Sequence, residues 1–388
     1  MKIQYLKKYF SYGYLLVYLL FFCIIPIYYA DDIETGPLSQ LIILTIISII
    51  VFSYSLNKRD FLPSDNKFFF IDFDFFSKII FSLYVLIVLV ILVTAPSIPI
   101  IQAVQGASQA DLILYREEFL KSRSGWETVL PYLVTVLDSA IIPYIIINSF
   151  LRKERKRFFY LIFFILYSIS FLEKAYLFKI IIPLLFYLYY ITKNKKLFII
   201  GSSISIVGIL TFMFSISQFD SFDVKVGESF FSIYYTPTNV FDAIIWRSFV
   251  VPVRTSYDAL VFFNNEFQGN YLLGSTSNLI SILTFQERVN FERMLYMTQF
   301  GGYGTGNANF CYIEDSYVNF GFLGVIFFSY VAGYFTKKTI ETKNLAAISI
   351  MPFFLLQLYS ASFIANFLNN GYFIFFFLII FVRFKTAR

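Results

Sequence analysis

The chain of 388 residues contains no histidine. That removes the commonest general base and the commonest metal ligand. Cysteine is almost as scarce: Cys23 lies in an apolar block and Cys311 at the mouth of another. Two lone cysteines do not make a zinc site, and a thiol in apolar sequence packs as a small hydrophobe. Neither a disulfide nor a metal or other cofactor is expected. Charge is also in short supply, at 14% of residues against about 25% in soluble domains. So little polar side chain cannot cover a water-facing surface, which excludes an ordinary soluble protein. Nor does the N-terminal region read as a cleaved signal. The apolar run Tyr9–Ala30 exceeds a signal's hydrophobic region, and no A-x-A site follows it. It reads as a first membrane span.

What the chain has in abundance is apolar and aromatic residue, 58% and 22% of the total, with a mean hydropathy of +0.69. These residues come in blocks near the length that crosses a hydrocarbon core of about 30 Å at about 1.5 Å per helical residue. The expected fold is all-α, a single polytopic membrane domain of ten spans. They are Phe10–Tyr29, Pro37–Leu56, Ser77–Val93, Val129–Phe150, Phe158–Phe171, Ala175–Ile191, Leu197–Ile216, Tyr312–Phe335, Ala346–Ile364 and Tyr372–Phe384.

Basic residues cluster in alternate short segments: Lys2, Lys7 and Lys8; Lys58, Arg59 and Lys67; Arg152 to Arg157; Lys193 to Lys196; Lys337 to Lys343; and Arg383 to Arg388. The opposite short loops are nearly free of them, and one is acidic, Asp31-Asp32-Ile33-Glu34. The excess of Lys and Arg on cytoplasmic loops then puts both termini in the cytoplasm. The net charge of +6 needs no nucleic acid. Two external segments are long, 95–128 and 217–311. In the second, Phe230–Phe263 is rich in Phe, Tyr, Ile and Val and broken by Pro237 and Pro252. It reads as short helices lying in the membrane interface. The run Gly301 to Gly306 lacks the Gly-Lys-Ser/Thr of a phosphate-binding loop. No inverted repeat of broken helices, a frequent transporter feature, is visible.

Charges near membrane depth are costly and mark candidate sites. Arg247 and Arg254 are seven residues apart, two helical turns, which places both on one helix face. Two guanidinium forks there suit a diphosphate. The plainer reading pairs Arg254 with Asp258 and lets Arg247 reach headgroups. Glu173 and Lys174 form a charged turn, with Lys179 five residues on. They are either a local ion pair with a snorkelling lysine or cations facing an external vestibule. Glu314 and Asp315 open the eighth span and either cap its helix or act as a general base or orienting group for a sugar hydroxyl. Asn319, one turn on, shares that face. Arg116, Glu117, Glu118, Lys121 and Arg123 read as one solvated helix face. Asp138 is an isolated acid within the fourth span.

The segment Asp315-Ser-Tyr-Val-Asn-Phe-Gly-Phe-Leu-Gly324 resembles the acidic-x-Tyr-x-Asn-Phe-Gly-x-x-Gly signature of the O-antigen polymerases, the Wzy-type repeat-unit polymerases. Aspartate stands where many relatives carry glutamate. The Trp-Arg-x-Phe-x-x-Pro segment at Arg247 and the turn at Lys174 are similar to an arginine segment and a lysine turn of that family. The layout is similar along the whole chain, the motifs over about thirty residues.

The resemblance implies a bacterial inner-membrane glycosyltransferase that joins undecaprenyl-diphosphate-linked oligosaccharide repeat units on the periplasmic face, with undecaprenyl diphosphate as leaving group. It implies Asp315, Glu314 and Arg247 as catalytic residues. Arg254, Lys174, Lys179, Asn319 and Tyr317 would bind substrate. Membrane lipid, a flippase and a chain-length regulator are the implied partners. Two rivals are an O-antigen ligase, disfavoured by the missing histidine, and a lipid-linked oligosaccharide flippase, disfavoured by nearly charge-free spans.

Overall fold

The computed structural model describes residues 3–29, 34–58, 69–120, 123–172, 174–192, 195–203, 205, 229–301 and 306–385. In chain order its longer helices are α1 (Ile3–Tyr28), α2 (Thr35–Asn57), α3 (Phe73–Thr94), α4 (Gln109–Leu120), α5 (Gly125–Leu151) and α6 (Arg157–Ser170). They continue as α7 (Lys174–Phe186), α8 (Val251–Glu266), α9 (Phe291–Gln299), α10 (Tyr312–Glu341), α11 (Leu345–Leu358) and α12 (Tyr372–Phe381). Five of them, α1, α2, α3, α5 and α10, are long and apolar enough to cross a membrane. Four other expected spans fall on shorter apolar helices of 10–17 residues, and most of the seventh, Leu197–Ile216, lies outside the described residues.

The outward face of α3 shows why apolar surroundings suit this chain. Phe75, Ile79, Leu83, Leu86 and Val93 are all exposed at spacings of three, four and seven, one stripe of the helix. A helix that is apolar on its outer as well as its inner face is a core helix or a membrane span. Its start is fixed locally: Asp72 caps it by accepting the Phe75 N–H at 3.0 Å.

The all-α expectation needs one correction. Phe69–Asp72 (β1) pairs in parallel with Val382–Lys385 (β2), Phe69 opposite Val382. The last span therefore ends as helix at Phe381. Val382 adopts an extended backbone, and its N–H still closes the helix on Leu378.

The chain divides into two compact units. The first comprises Met1–Leu62, Ser221–Glu341 and Leu355–Asn366. Its centre is the pair α2 and α10. Gly333 lets them approach: a Cβ there would lie 2.6 Å from the Phe52 carbonyl oxygen, and Ser55 donates to the Tyr330 carbonyl at 2.7 Å. Small residues and interhelical hydroxyl bonds are the usual adhesive where no water is squeezed out. A buried ring of hydroxyls ties in α1. Tyr14 bonds Ser48 at 2.7 Å, Ser48 bonds Tyr312 at 2.8 Å, and Tyr312 bonds Ser329 at 3.0 Å. Ser329 closes the ring by donating to Ser48 at 2.8 Å.

The long segment 217–311, described from residue 229, packs in this unit. Phe262 and Phe263 of α8 share a core with Phe291 and Leu295 of α9, Phe310, and Val318 of α10. Pro252 does not break its helix. Val240–Ile245 runs into α8 through a π turn, Trp246–Val250, closed by Val251 N–H on the Trp246 carbonyl. The register has already slipped there, so the proline's missing N–H costs little.

The second unit comprises Pro63–Asp220, Thr342–Phe354 and Phe367–Arg388. Phe81 and Tyr84 of α3 pack on Tyr160, Phe163 and Phe164 of α6. Arg123 is not part of a solvated face. Its side chain is 3% exposed. It donates to the Ile91 carbonyl at 2.9 Å, to the Phe119 carbonyl at 2.9 Å and to Thr94 Oγ1 at 2.6 Å, and pairs with Glu127 at 3.0 Å. The Ile91 and Phe119 carbonyls lie at the C-terminal ends of α3 and α4, so one guanidinium ties the two helix ends together while its charge meets two negative dipole ends.

Candidate functional site

The segment Asp315–Gly324 is a broken helix. The regular helical backbone that begins at Tyr312 stops at Gly321, whose φ of 64° and ψ of −155° lie in a region only glycine enters freely. The break frees carbonyls that an unbroken helix would bond to residues four further on. A loop takes them: Leu272 N–H reaches the Val318 carbonyl at 3.1 Å and Leu273 N–H the Asn319 carbonyl at 2.8 Å. Asn319 clamps the same loop. Its Oδ1 accepts the Gly274 N–H at 3.0 Å, its Nδ2 bonds Thr276 at 3.0 Å, and that amide also donates to the Asp315 carbonyl at 2.9 Å and to Asp315 Oδ1 at 3.2 Å. Tyr317 meets Tyr271 edge to face at 5.8 Å and also packs against Phe263.

Two carboxylates begin this helix. Asp315 is 4% exposed and held by Asn319. Glu314 is fully buried, and among the described residues neither of its oxygens makes a hydrogen bond of good geometry. The Ser256 hydroxyl and Cys311 thiol stand beside it, and Ser256 Oγ accepts the Cys311 N–H at 3.0 Å. An acid buried without partners is held at a cost, which sets it apart from a helix cap on the surface.

Arg247 and Arg254 belong to the same unit but have different surroundings. Arg247 lies within the π turn, which adds one residue to a helical turn before Arg254. A spacing of seven then acts as six, roughly 120° away from a common face. Arg247 is exposed and forms no ion pair or hydrogen bond among the described residues. Its neighbours along the helix, Phe241, Ile245 and Phe249, are exposed and apolar. Arg254 is engaged: Nε pairs with Asp258 at 2.9 Å, Nη1 donates to the Phe231 carbonyl at 3.3 Å, and the guanidinium lies 5.0 Å from the Tyr257 ring.

Lys174 and Lys179 lie in the second unit. Lys174 starts α7, and its side chain and Glu173 lie outside the described residues. Lys179 is no free vestibule cation. It is paired with Asp138 at 2.6 Å, the two side chains 8% and 1% exposed, and its ammonium sits 3.8 Å from the Tyr176 ring. This is the partner that the isolated acid of the fourth span requires.

A feature that sequence reasoning missed is a groove of about 590 Å³ along α8 and α9, lined among others by Tyr234, Arg254, Asp258, Asn265, Glu266 and Gln299. Gln299 donates to Asp258 Oδ2 at 2.8 Å. Burial pushes the Asp258 carboxyl above the usual range, while Arg254 and Gln299 pull it back. Glu292 on α9 is likewise raised by burial, with Arg288 opposing. The only sequence signal was the spacing of four between Arg254 and Asp258. Among the described residues, no cluster of three or more Cys, Asp or Glu is gathered as a metal site. Comparison with protein-family models, with curated proteins and with solved structures finds no match to this chain.

Proposed function

We propose that the chain polymerises undecaprenyl-diphosphate-linked oligosaccharide repeat units at the outer face of a bacterial inner membrane, with both termini in the cytoplasm and ten spans. The observation that carries this reading is Arg247, an exposed guanidinium with no partner among the described residues, set in exposed apolar sequence. Such a charge is costly unless an anion joins it. A polyprenyl diphosphate brings phosphates beside an apolar chain and matches both features. In this reading Arg247 stabilises charge that develops on the leaving diphosphate. An acceptor hydroxyl oxygen bonds to the anomeric carbon, and the carbon–oxygen bond to the diphosphate breaks with its electron pair. The hydroxyl proton passes to the acidic pair at the start of α10. The alternative ligase and flippase reactions use the same lipid-linked substrate.

The test uses a strain lacking its own polymerase but retaining the matching repeat-unit pathway, with lipopolysaccharide read on a gel. Wild type restores a ladder. Arg247→Ala, at equal membrane level, loses it by at least a hundredfold, the usual effect of removing a donor that stabilises transition-state charge. Arg247→Lys recovers a fraction, because an ammonium supplies charge without the fork. A full ladder from Arg247→Ala would remove the assignment.

A further inference from the structure

The groove along α8 and α9 has a composition that the diphosphate chemistry does not use. Among the described residues, its one lining cation, Arg254, is already paired with Asp258. Glu266, exposed at the rim, adds negative charge. An anion is therefore poorly served there, and a diphosphate belongs elsewhere. What the groove offers is hydrogen-bonding capacity of both senses beside apolar surface. Gln299, 7% exposed, spends one N–H on Asp258, leaving a second N–H and its oxygen. Asn265 adds an exposed amide and Thr298 an exposed hydroxyl. Tyr234 anchors its hydroxyl on the Gln299 carbonyl, yet the residue is 50% exposed. The ring is thus fixed at its tip and meets Phe300 edge to face, while half its surface stays exposed. Phe262, Val261 and Leu295 supply apolar floor.

We infer that this groove binds a short, uncharged oligosaccharide. Sugar hydroxyls both donate and accept and match paired amides and carboxylates, and the C–H face of a pyranose packs on an aromatic ring. The volume lies within the ~300–1,000 Å³ of small-ligand sites. Resting on the proposed polymerase reading, the occupant is the non-reducing end of the acceptor repeat unit. Asp258 and Gln299 take its hydroxyls and Tyr234 stacks beneath it. The Arg254–Asp258 ion pair then positions Asp258 for the sugar rather than Arg254 for phosphate.

The test is direct binding by the full chain in lipid nanodiscs. The probe is the free repeat-unit oligosaccharide of the source strain, released from its lipid by mild acid and labelled at the reducing end. The wild type binds it. Gln299→Ala and Tyr234→Ala each weaken binding about tenfold, the scale of one or two lost hydrogen bonds or a lost stacking face. Asn265→Ala, at an exposed position where the fold is not at stake, weakens it severalfold. No binding by wild type, or binding unchanged in all three variants, overturns the inference. The two readings separate cleanly. Sugar binding lost in the groove variants, with no ladder from wild type in cells, removes the polymerase and keeps the groove. A ladder with unaltered groove variants does the reverse.

Discussion

Replacing Lys179 with methionine lowers stability by about 3–5 kcal/mol, the cost of leaving one member of a buried ion pair alone. Adding Asp138→Asn to the same chain returns most of it. Asp138 and Lys179 are both nearly inaccessible, so neither charge can be solvated in place. One carboxylate oxygen accepts from Lys179 and Ser139, and among the described residues the other has no partner. The ammonium is therefore the main polar partner of the buried acid. Methionine keeps the stem's packing and removes the charge. Asparagine then removes the charge left behind. A double-mutant cycle on detergent-solubilised protein, read by thermal unfolding, yields a coupling energy of several kcal/mol of stabilising sign. Additive effects would show that the two groups do not depend on each other.

Gly321→Ala is expected to be nearly as damaging, by about 3 kcal/mol or more. Two costs combine. A non-glycine residue in this backbone region costs roughly 1–3 kcal/mol. The new methyl also meets the Tyr271 ring at 2.8 Å, a distance at which one of them must move. Movement of Tyr271 pulls on the loop whose amides satisfy the Val318 and Asn319 carbonyls, so strain spreads to the clamp on Asp315. The double variant Gly321→Ala/Tyr271→Ala removes the clash and not the backbone strain. It is predicted to recover part of the melting temperature and not all of it. Full recovery would mean that the unusual dihedral contributes nothing; no recovery would mean that the ring is not the obstacle.

These sites differ in how far the sequence discloses them. The helical character of the apolar blocks is legible because length and hydropathy are local properties. Asp138 and Lys179 are 41 residues apart, and no periodicity links them; the sequence says only that an acid in a span needs a partner. The break at Gly321 is hidden for another reason. One glycine in an apolar run fits a straight span as well as a broken one, and the sign of φ is decided by Tyr271 and the loop at Leu272. The π turn at Trp246–Val250 has no residue signature, so the expected shared face of Arg247 and Arg254 fails on register alone. Arg123 reads as solvated because it stands in a charged stretch of sequence, while its partners include two main-chain carbonyls, which every sequence contains. The groove was hidden because it needs α8 and α9 side by side.

The most direct test of the polymerase reading is reconstitution. Purified protein in nanodiscs would receive undecaprenyl-diphosphate-linked repeat units as its sole substrate. The reading predicts products of two, three and more units, with one undecaprenyl diphosphate released for each linkage formed and none from Arg247→Ala. Units that remain single while the wild-type protein, in sealed vesicles, carries them across the bilayer would contradict it and make the chain a transporter.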